Sequence, residues 1–468
     1  MVEILVTILV IINILVFFYF LFVNGSYITL IIMAYFQTKK SRQKEDLFEL
    51  SGLFGTNLYR SISILAPAYN EEKSIIESTR ALLNLQFSDY EVIIINDGST
   101  DKTLEKLIKD FELKEIDRHI PDLLKSKPIK KVFGSRKYPN LIVVDKENGR
   151  KADALNAGVN VSRKDLICAV DSDSLLESDV LRRMIMAFTE DQEIVAVGGV
   201  VRVANGCKFR HGVVESIRTP KSYFGRVQAV EYLRAFLFGR VGWDYLNSLL
   251  IISGAFGVFD RKAVIRAGGY MHDTVGEDME LVVRLHRYYK EQNIPYRVRF
   301  LPEPVCWTEV PEDWKTLGRQ RDRWHRGLAD TLSRHRKMIF NPKYGRLGMV
   351  AMPFFLIVEL LAPVVEIFGY LVFTLSFILG VINLTFFLLF LTVAILLGVI
   401  MSVLAVLIEE LTFRRYDKMK DVAILIIYAF LENFGYRQLY AWWRFKGLIN
   451  YMKGDLQWGE MKREGTFG

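Results

Sequence analysis

The sequence predicts an α/β catalytic domain set between membrane helices, and three observations carry that prediction. Apolar residues crowd two stretches near the ends of the chain, 4–36 and 347–408. Short apolar strands alternate with helical patterns from residue 61 onward. The polar residues with chemistry to offer fall directly after those strands.

The N-terminal stretch reads ILVTILVIINILVFFYFLFV, then Asn24-Gly25-Ser26, then YITLIIMAYF. It exceeds the ~20 apolar residues that one helical crossing of a bilayer needs. It has neither a basic leader nor a small-residue cleavage site, so it reads as a retained span. Asn24-Gly25-Ser26 is expected to break or kink it. Lys39, Lys40, Arg42 and Lys44 follow. Basic residues just past a span favour the cytoplasmic side, so the central region is expected there.

The chain divides at the same signals. Residues 1–36 form an N-terminal transmembrane element, 37–60 a polar cytoplasmic lead-in, and 61–340 the catalytic domain. Residues 341–448 hold C-terminal transmembrane and interface helices, and 449–468 a basic tail. The stretch 345–408 accommodates two long crossings with a turn near 380–383, or three shorter ones. Glu359 and Glu366 lie inside it, and charges at that depth face protein or a wet cavity. Residues 422–447 carry Glu432, Arg437 and Arg444 and read as either a crossing or an interfacial helix.

In the central region, apolar strands at 62–65, 91–95, 141–144 and 166–170 alternate with helices at 72–83, 102–111 and from Lys151. Such runs argue for a Rossmann-like, mostly parallel sheet covered on both faces. Ligands of such sheets gather at the carboxyl ends of the strands. Those ends carry Tyr69-Asn70-Glu71, Asn96-Asp97-Gly98, Asp145 and Asp171-Ser172-Asp173.

Composition narrows the partners. The formal net charge of the 468 residues is +8. Anionic lipid headgroups and a diphosphate-bearing substrate explain that balance better than a nucleic acid does. Cys168, Cys207 and Cys306 are scattered without a CxxC pair, which points to neither zinc nor a disulfide framework.

Asp171 and Asp173, two residues apart after the strand LICAV, can converge on one hard cation such as Mg²⁺ or Mn²⁺. A turn is the plainer reading of the same triplet. Asp97 can accept a hydrogen bond from a base or ribose, or simply support an Asx turn with Gly98. Lys151, near a helix N-terminus, can meet a diphosphate or stay solvated. Glu277 and Asp278 open a helix, where either can serve as a general base or as an ordinary first-turn acid. In Gln320-Arg321-Asp322-Arg323-Trp324 the arginines can clamp a diphosphate and the indole can stack on a sugar, or the segment can anchor at the membrane.

As an ordered set these motifs resemble glycosyltransferase family 2, in its processive membrane branch. That branch makes cellulose, chitin, hyaluronan and poly-N-acetylglucosamine. The resemblance rests on 66–72 (APAYNEE), 96–99 (NDGS), Asp171 with Asp173, Glu277-Asp278, and Gln320 to Trp324. It implies a GT-A fold, with Asp97 and Asp145 toward the uridine of a UDP-sugar donor and Lys151 near that donor. It makes Asp173, assisted by Asp171, the holder of Mg²⁺ or Mn²⁺, and Asp278 the catalytic base supported by Glu277. Gln320, Arg323 and Trp324 would line the diphosphate and acceptor sites. Ser253-Gly254-Ala255-Phe256 resembles the acceptor loop, with Gly254 permitting close approach of a polysaccharide acceptor. Residues 225–247 look like helices that dock the domain on membrane lipid.

The implied protein is a multi-pass plasma-membrane enzyme with a cytoplasmic catalytic domain. It works by inverting transfer to the non-reducing end of a β-linked polymer and leaves room for a secretion partner. Two rivals are a non-processive transferase acting on a lipid-linked acceptor and a non-catalytic transport scaffold. One departure stands out: Gly276 occupies a place where threonine is common in the cellulose type.

Overall fold

The computed structural model describes residues 2–50, 60–172, 174–210 and 213–455. Its strands are β1 (Ile62–Ala68), β2 (Tyr90–Asp97), β3 (Leu113–Glu115), β4 (Ile129–Ser135), β5 (Leu141–Lys146) and β6 (Leu166–Val170). They continue with β7 (Ser174–Leu176), β8 (Ile194–Val203), β9 (Lys208–Arg210), β10 (Val213–Ser216), β11 (Phe256–Asp260) and β12 (Arg297–Thr308). Ten of them form one sheet in the order β3-β4-β5-β2-β1-β6-β11-β8-β12-β7, and β9 and β10 make a separate hairpin.

The four strands expected from the sequence, β5, β2, β1 and β6, are adjacent and parallel. Their side chains alternate between two cores, as a period of two requires. Leu65, Ile93 and Ile167 enter one core, and Ile64, Ile94 and Cys168 the other. The rest of the sheet departs from the mostly parallel expectation. β11 runs antiparallel between β6 and β8, and β4 runs antiparallel to β5. The reason is physical. An apolar run reports burial on both faces, whereas strand direction is set by the connections. The sheet is therefore a mixed one.

The N-terminal helix runs unbroken from Val2 to Leu50, so the expected break at 24–26 does not occur. Asn24 Nδ2 and Ser26 Oγ donate to the carbonyls of Phe20 and Phe22, at 2.8 and 2.7 Å. The polar side chains satisfy themselves on the helix and leave its ladder intact.

Among the described residues, two helical segments, Glu3–Lys39 and Leu384–Phe413, are long and apolar enough to cross a membrane. The pair Leu347–Leu360 and Ala362–Ile378 makes a third if counted as one span, and it is bent by 43°. Pro363, just past the bend, lacks the N–H and the room that a straight helix needs. The expected turn near 380–383 is present. Gly380 has φ +70° there, and Asn383 Oδ1 caps the next helix by accepting from Phe386 N at 2.7 Å. Further on, the helices Met419–Leu431 and Tyr436–Met452 are parted at Gly435.

Residues 223–245 form one helical run, Tyr223–Tyr232, Leu233–Gly239 and Arg240–Tyr245. This run joins the domain to the N-terminal helix at Gly242, where a Cβ would lie 2.7 Å from the Leu30 carbonyl oxygen. Ion pairs fasten the catalytic domain to the C-terminal region. Arg202 on β8 meets Glu409, and Arg415 reaches Glu177 at 3.0 Å.

Candidate active site

A single cavity of about 2350 Å³ begins at the carboxyl ends of β1 and β2. It passes Asp278 and Trp324 and continues to Glu359 and Glu366 in the apolar C-terminal helices.

At its outer end β2 delivers Asp97. The carboxylate accepts from Lys146 Nζ at 2.6 Å, Gly149 N at 3.0 Å and Arg150 N at 2.8 Å, which ties β2 to the start of helix Arg150–Val161. Lys146 is 0% exposed and also stands 2.6 Å from Asp153 Oδ1. Sequence reasoning missed this lysine because the strand was expected to stop at Val144. The signal was there, in a lysine continuing an apolar strand between two polar motifs. Alternation along β5 sends Asp145 the other way, where it accepts from Asn96 Nδ2 at 2.7 Å. Asp145 does not line the cavity.

The centre of the site is a cluster of charge. Lys151 Nζ lies 2.5 Å from Asp171 Oδ1 and 3.6 Å from Glu277 Oε1, and donates to the Gly254 carbonyl at 3.0 Å. Burial alone would lower its pKa, yet the carboxylates of Asp171 and Glu277 hold it well above the ordinary lysine range. Burial raises the carboxyl pKa of Glu277 and neighbouring Asp278 adds to the rise, against the pull of Lys151 and Arg323.

Asp278 Oδ2 accepts from Gly254 N at 2.9 Å. Gly254 thus bridges the base candidate and the lysine through its two backbone groups. A Cβ there would sit 3.1 Å from Lys151 Nζ and 3.3 Å from Asp278 Oδ2, a tight fit that would push both side chains by a few tenths of an ångström.

Two glycines set the next wall. A Cβ on Gly276 would lie 2.9 Å from the Cα of Gly327, an atom fixed in the helix Trp314–Arg334. The close approach of the Glu277–Glu291 helix to the Trp314–Arg334 helix leaves no room for a threonine side chain at Gly276. The latter is capped by Asp313, whose Oδ1 accepts from Lys315 N and Thr316 N at 3.0 and 2.9 Å. Gln320, Arg323 and Trp324, at i, i+3 and i+4, share the face that lines the cavity.

Phe256 is placed otherwise than expected. It is fully buried at the start of β11, while Gly254 and Ala255 line the cavity before it. Asp173 lies outside the described residues. Among the described residues no group of three or more His, Cys, Asp or Glu side chains stands together as a ready-made cation site.

Comparisons with known proteins agree with this architecture. The model of Glycosyl transferase family 2 matches residues 63–264, and that of Glycosyl transferase family group 2 matches 166–408, more than half of the chain. The chain belongs to the group 2 glycosyl transferases. It is 30% identical over 276 residues to a poly-beta-1,6-N-acetyl-D-glucosamine synthase of Staphylococcus aureus (strain COL), covering 58% of this chain and 56% of that one. The synthase of the same description from Staphylococcus epidermidis is 28% identical over 274 residues. The chain thus matches about half the length of these curated relatives. Among solved structures, the mannosyltransferase PcManGT from Pyrobaculum calidifontis, in complex with GDP-Man and Mn²⁺, superposes with a TM-score of 0.53 at 16% identity. The match covers 90% of this chain and 99% of that one, and it establishes a shared GT-A-like α/β fold.

Proposed function

We propose that this protein is a processive, inverting polysaccharide synthase. It transfers a sugar from a UDP-sugar to the non-reducing end of a β-linked polymer and passes the polymer into the membrane. The observation that carries the reading is the continuity of the cavity, from the strand ends past Asp278 to Glu359 and Glu366.

The acceptor hydroxyl gives its proton to Asp278, which Gly254 N holds in place. The freed oxygen attacks the anomeric carbon as the bond to the UDP oxygen breaks. The leaving oxygen keeps the bonding electron pair, and the configuration inverts. Lys151, with Arg323 on the facing helix, offers positive charge to the departing diphosphate. Glu277, 3.6 Å from Lys151 Nζ, helps hold that charge in place.

Asp171 fits a divalent-cation role. It lines the cavity as a partly exposed oxygen donor, and Mg²⁺ is usually held by only one or two carboxylates plus substrate phosphates. Mg²⁺ or Mn²⁺ held by Asp171 with Asp173 would supply further positive charge at the diphosphate.

The candidate spans and the basic residues after the first of them support a multi-pass protein of the plasma membrane with its catalytic domain in the cytoplasm. The relatives' names make N-acetylglucosamine the first donor to try. The test is a donor panel on detergent-purified protein with Mg²⁺ or Mn²⁺, following UDP release and product size together. Long polymer from one donor is the expected result. Asp278→Asn should lower the rate by about 10²–10⁴-fold. UDP release with only single-sugar products would sink the processive reading.

A further inference from the structure

Trp324 sits between two very different neighbours. One is Phe236 of the 233–239 run, at a ring distance of 6.0 Å. The other is the guanidinium of Arg321, 4.2 Å from the indole centroid. Arg321 is 0% exposed. It donates through Nη2 to Glu231 Oε2 at 2.8 Å, and the Tyr436 hydroxyl donates to the same oxygen at 2.9 Å. Three elements distant in sequence therefore meet beside one indole: the 223–232 helix, the Trp314–Arg334 helix and the Tyr436–Met452 helix.

This arrangement is a poor device for stability. Arg321 Nε and Nη1 have no hydrogen-bond partner among the described residues. A buried ion pair with idle donors is commonly no better for folding than apolar side chains of the same volume. What the pair does achieve is geometric. The guanidinium, held by a carboxylate, stands 4.2 Å from the Trp324 ring centroid, within cation–π range, and restrains the indole.

We propose that Glu231 and Arg321 are positioning residues that clamp the Trp324 indole at the acceptor end of the cavity. The clamp governs how firmly the growing glycan is retained between additions. It rests on the reading of Trp324 as an acceptor-stacking ring in a synthase.

The test uses the full chain in detergent, with Arg321→Met, Arg321→Lys and Glu231→Gln. Acceptor KM and kcat are measured with a short oligosaccharide, UDP affinity by calorimetry, and product length at equal UDP release. Arg321→Met should raise acceptor KM roughly tenfold and shorten the product, with a much smaller change in kcat, the size a desolvated cation–π contact supports. UDP affinity should hold, because the donor end is built from other residues. Arg321→Lys, which keeps the charge but not the plane, should recover part of the loss. If Arg321→Met does not fold, Glu231→Gln decides. It keeps the acceptor oxygen for Arg321 and Tyr436 while removing the charge, and it should move KM in the same direction. Unchanged KM and product length in the folded variants would overturn the proposal. So would loss of UDP affinity in parallel with KM, the mark of a merely structural pair. Should the wild type add only one sugar, the processive reading falls, while the acceptor KM ratios still decide the clamp.

Discussion

The two ends of the cavity are built by different rules. At the outer end, Asp97 and Asp171 are placed by strands β2 and β6, and their partners Lys146, Gly149 and Lys151 lie at the end of β5 and the start of the helix Arg150–Val161, in the same α/β unit. At the membrane end, Tyr27 donates to Glu359 at 2.5 Å and Arg444 Nη2 reaches the same carboxylate at 3.1 Å. These three residues come from the N-terminal helix, the bent pair and the Tyr436–Met452 helix. The outer end is a property of local topology. The inner end exists only when distant helices have met. Damage to the outer end should therefore appear first in donor binding, and damage to the inner end in the fate of the product.

Lys146→Met should give the largest effect. It strands two buried carboxylates, Asp97 and Asp153, for a loss of about 3–5 kcal/mol. Chemical denaturation and UDP calorimetry would read it. A variant with wild-type stability and UDP affinity would break the contrast at its outer end.

Gly276→Ala tests the junction. The new methyl meets the Gly327 backbone, and the overpacking should cost about 1–3 kcal/mol. Because Asp278 moves with the same turn, transfer should fall more than UDP affinity does. A fully active variant would show that the two helices part easily.

Glu359→Gln should be the mildest, at about 1 kcal/mol: Tyr27 and Arg444 bond to different carboxylate oxygens, so the amide oxygen keeps Arg444, which also holds the Glu359 backbone carbonyl, while the Tyr27 bond to the other oxygen is lost or reversed. UDP release with a short acceptor should persist while product length falls. Equal loss of both would show that the inner end serves catalysis directly.

The same contrast explains what could be read in advance. The parallel strands and the shared face of Gln320, Arg323 and Trp324 are contiguous patterns with a fixed period, and Asp171, Glu277 and Asp278 follow such patterns directly. Phe256 and Asp145 were misplaced by strand alternation, where one residue of register reverses the face. Lys146 was hidden by a strand end set two residues short. The Gly276–Gly327 contact and the Glu231–Arg321–Tyr436 cluster join residues up to 205 positions apart, and periodicity carries no record of such pairing. The antiparallel part of the sheet escaped for the same reason, because burial does not encode direction.

The unbroken N-terminal helix has a consequence in time. Its 49 residues rise about 74 Å, more than twice a bilayer's ~30 Å hydrocarbon core. Its polar contacts lie far downstream: Tyr27 waits for Glu359, 332 residues later, and Asn13 for Ser376, 363 residues later. At ~5–20 residues per second, a ribosome needs roughly 20–70 s to deliver those partners. If this helix spans a bilayer as proposed, lipid stands in for its missing neighbours over that interval. A nascent chain stalled before residue 359 should therefore hold its first span in the bilayer with Tyr27 open to chemical labelling, and the site should close only when the bent pair arrives.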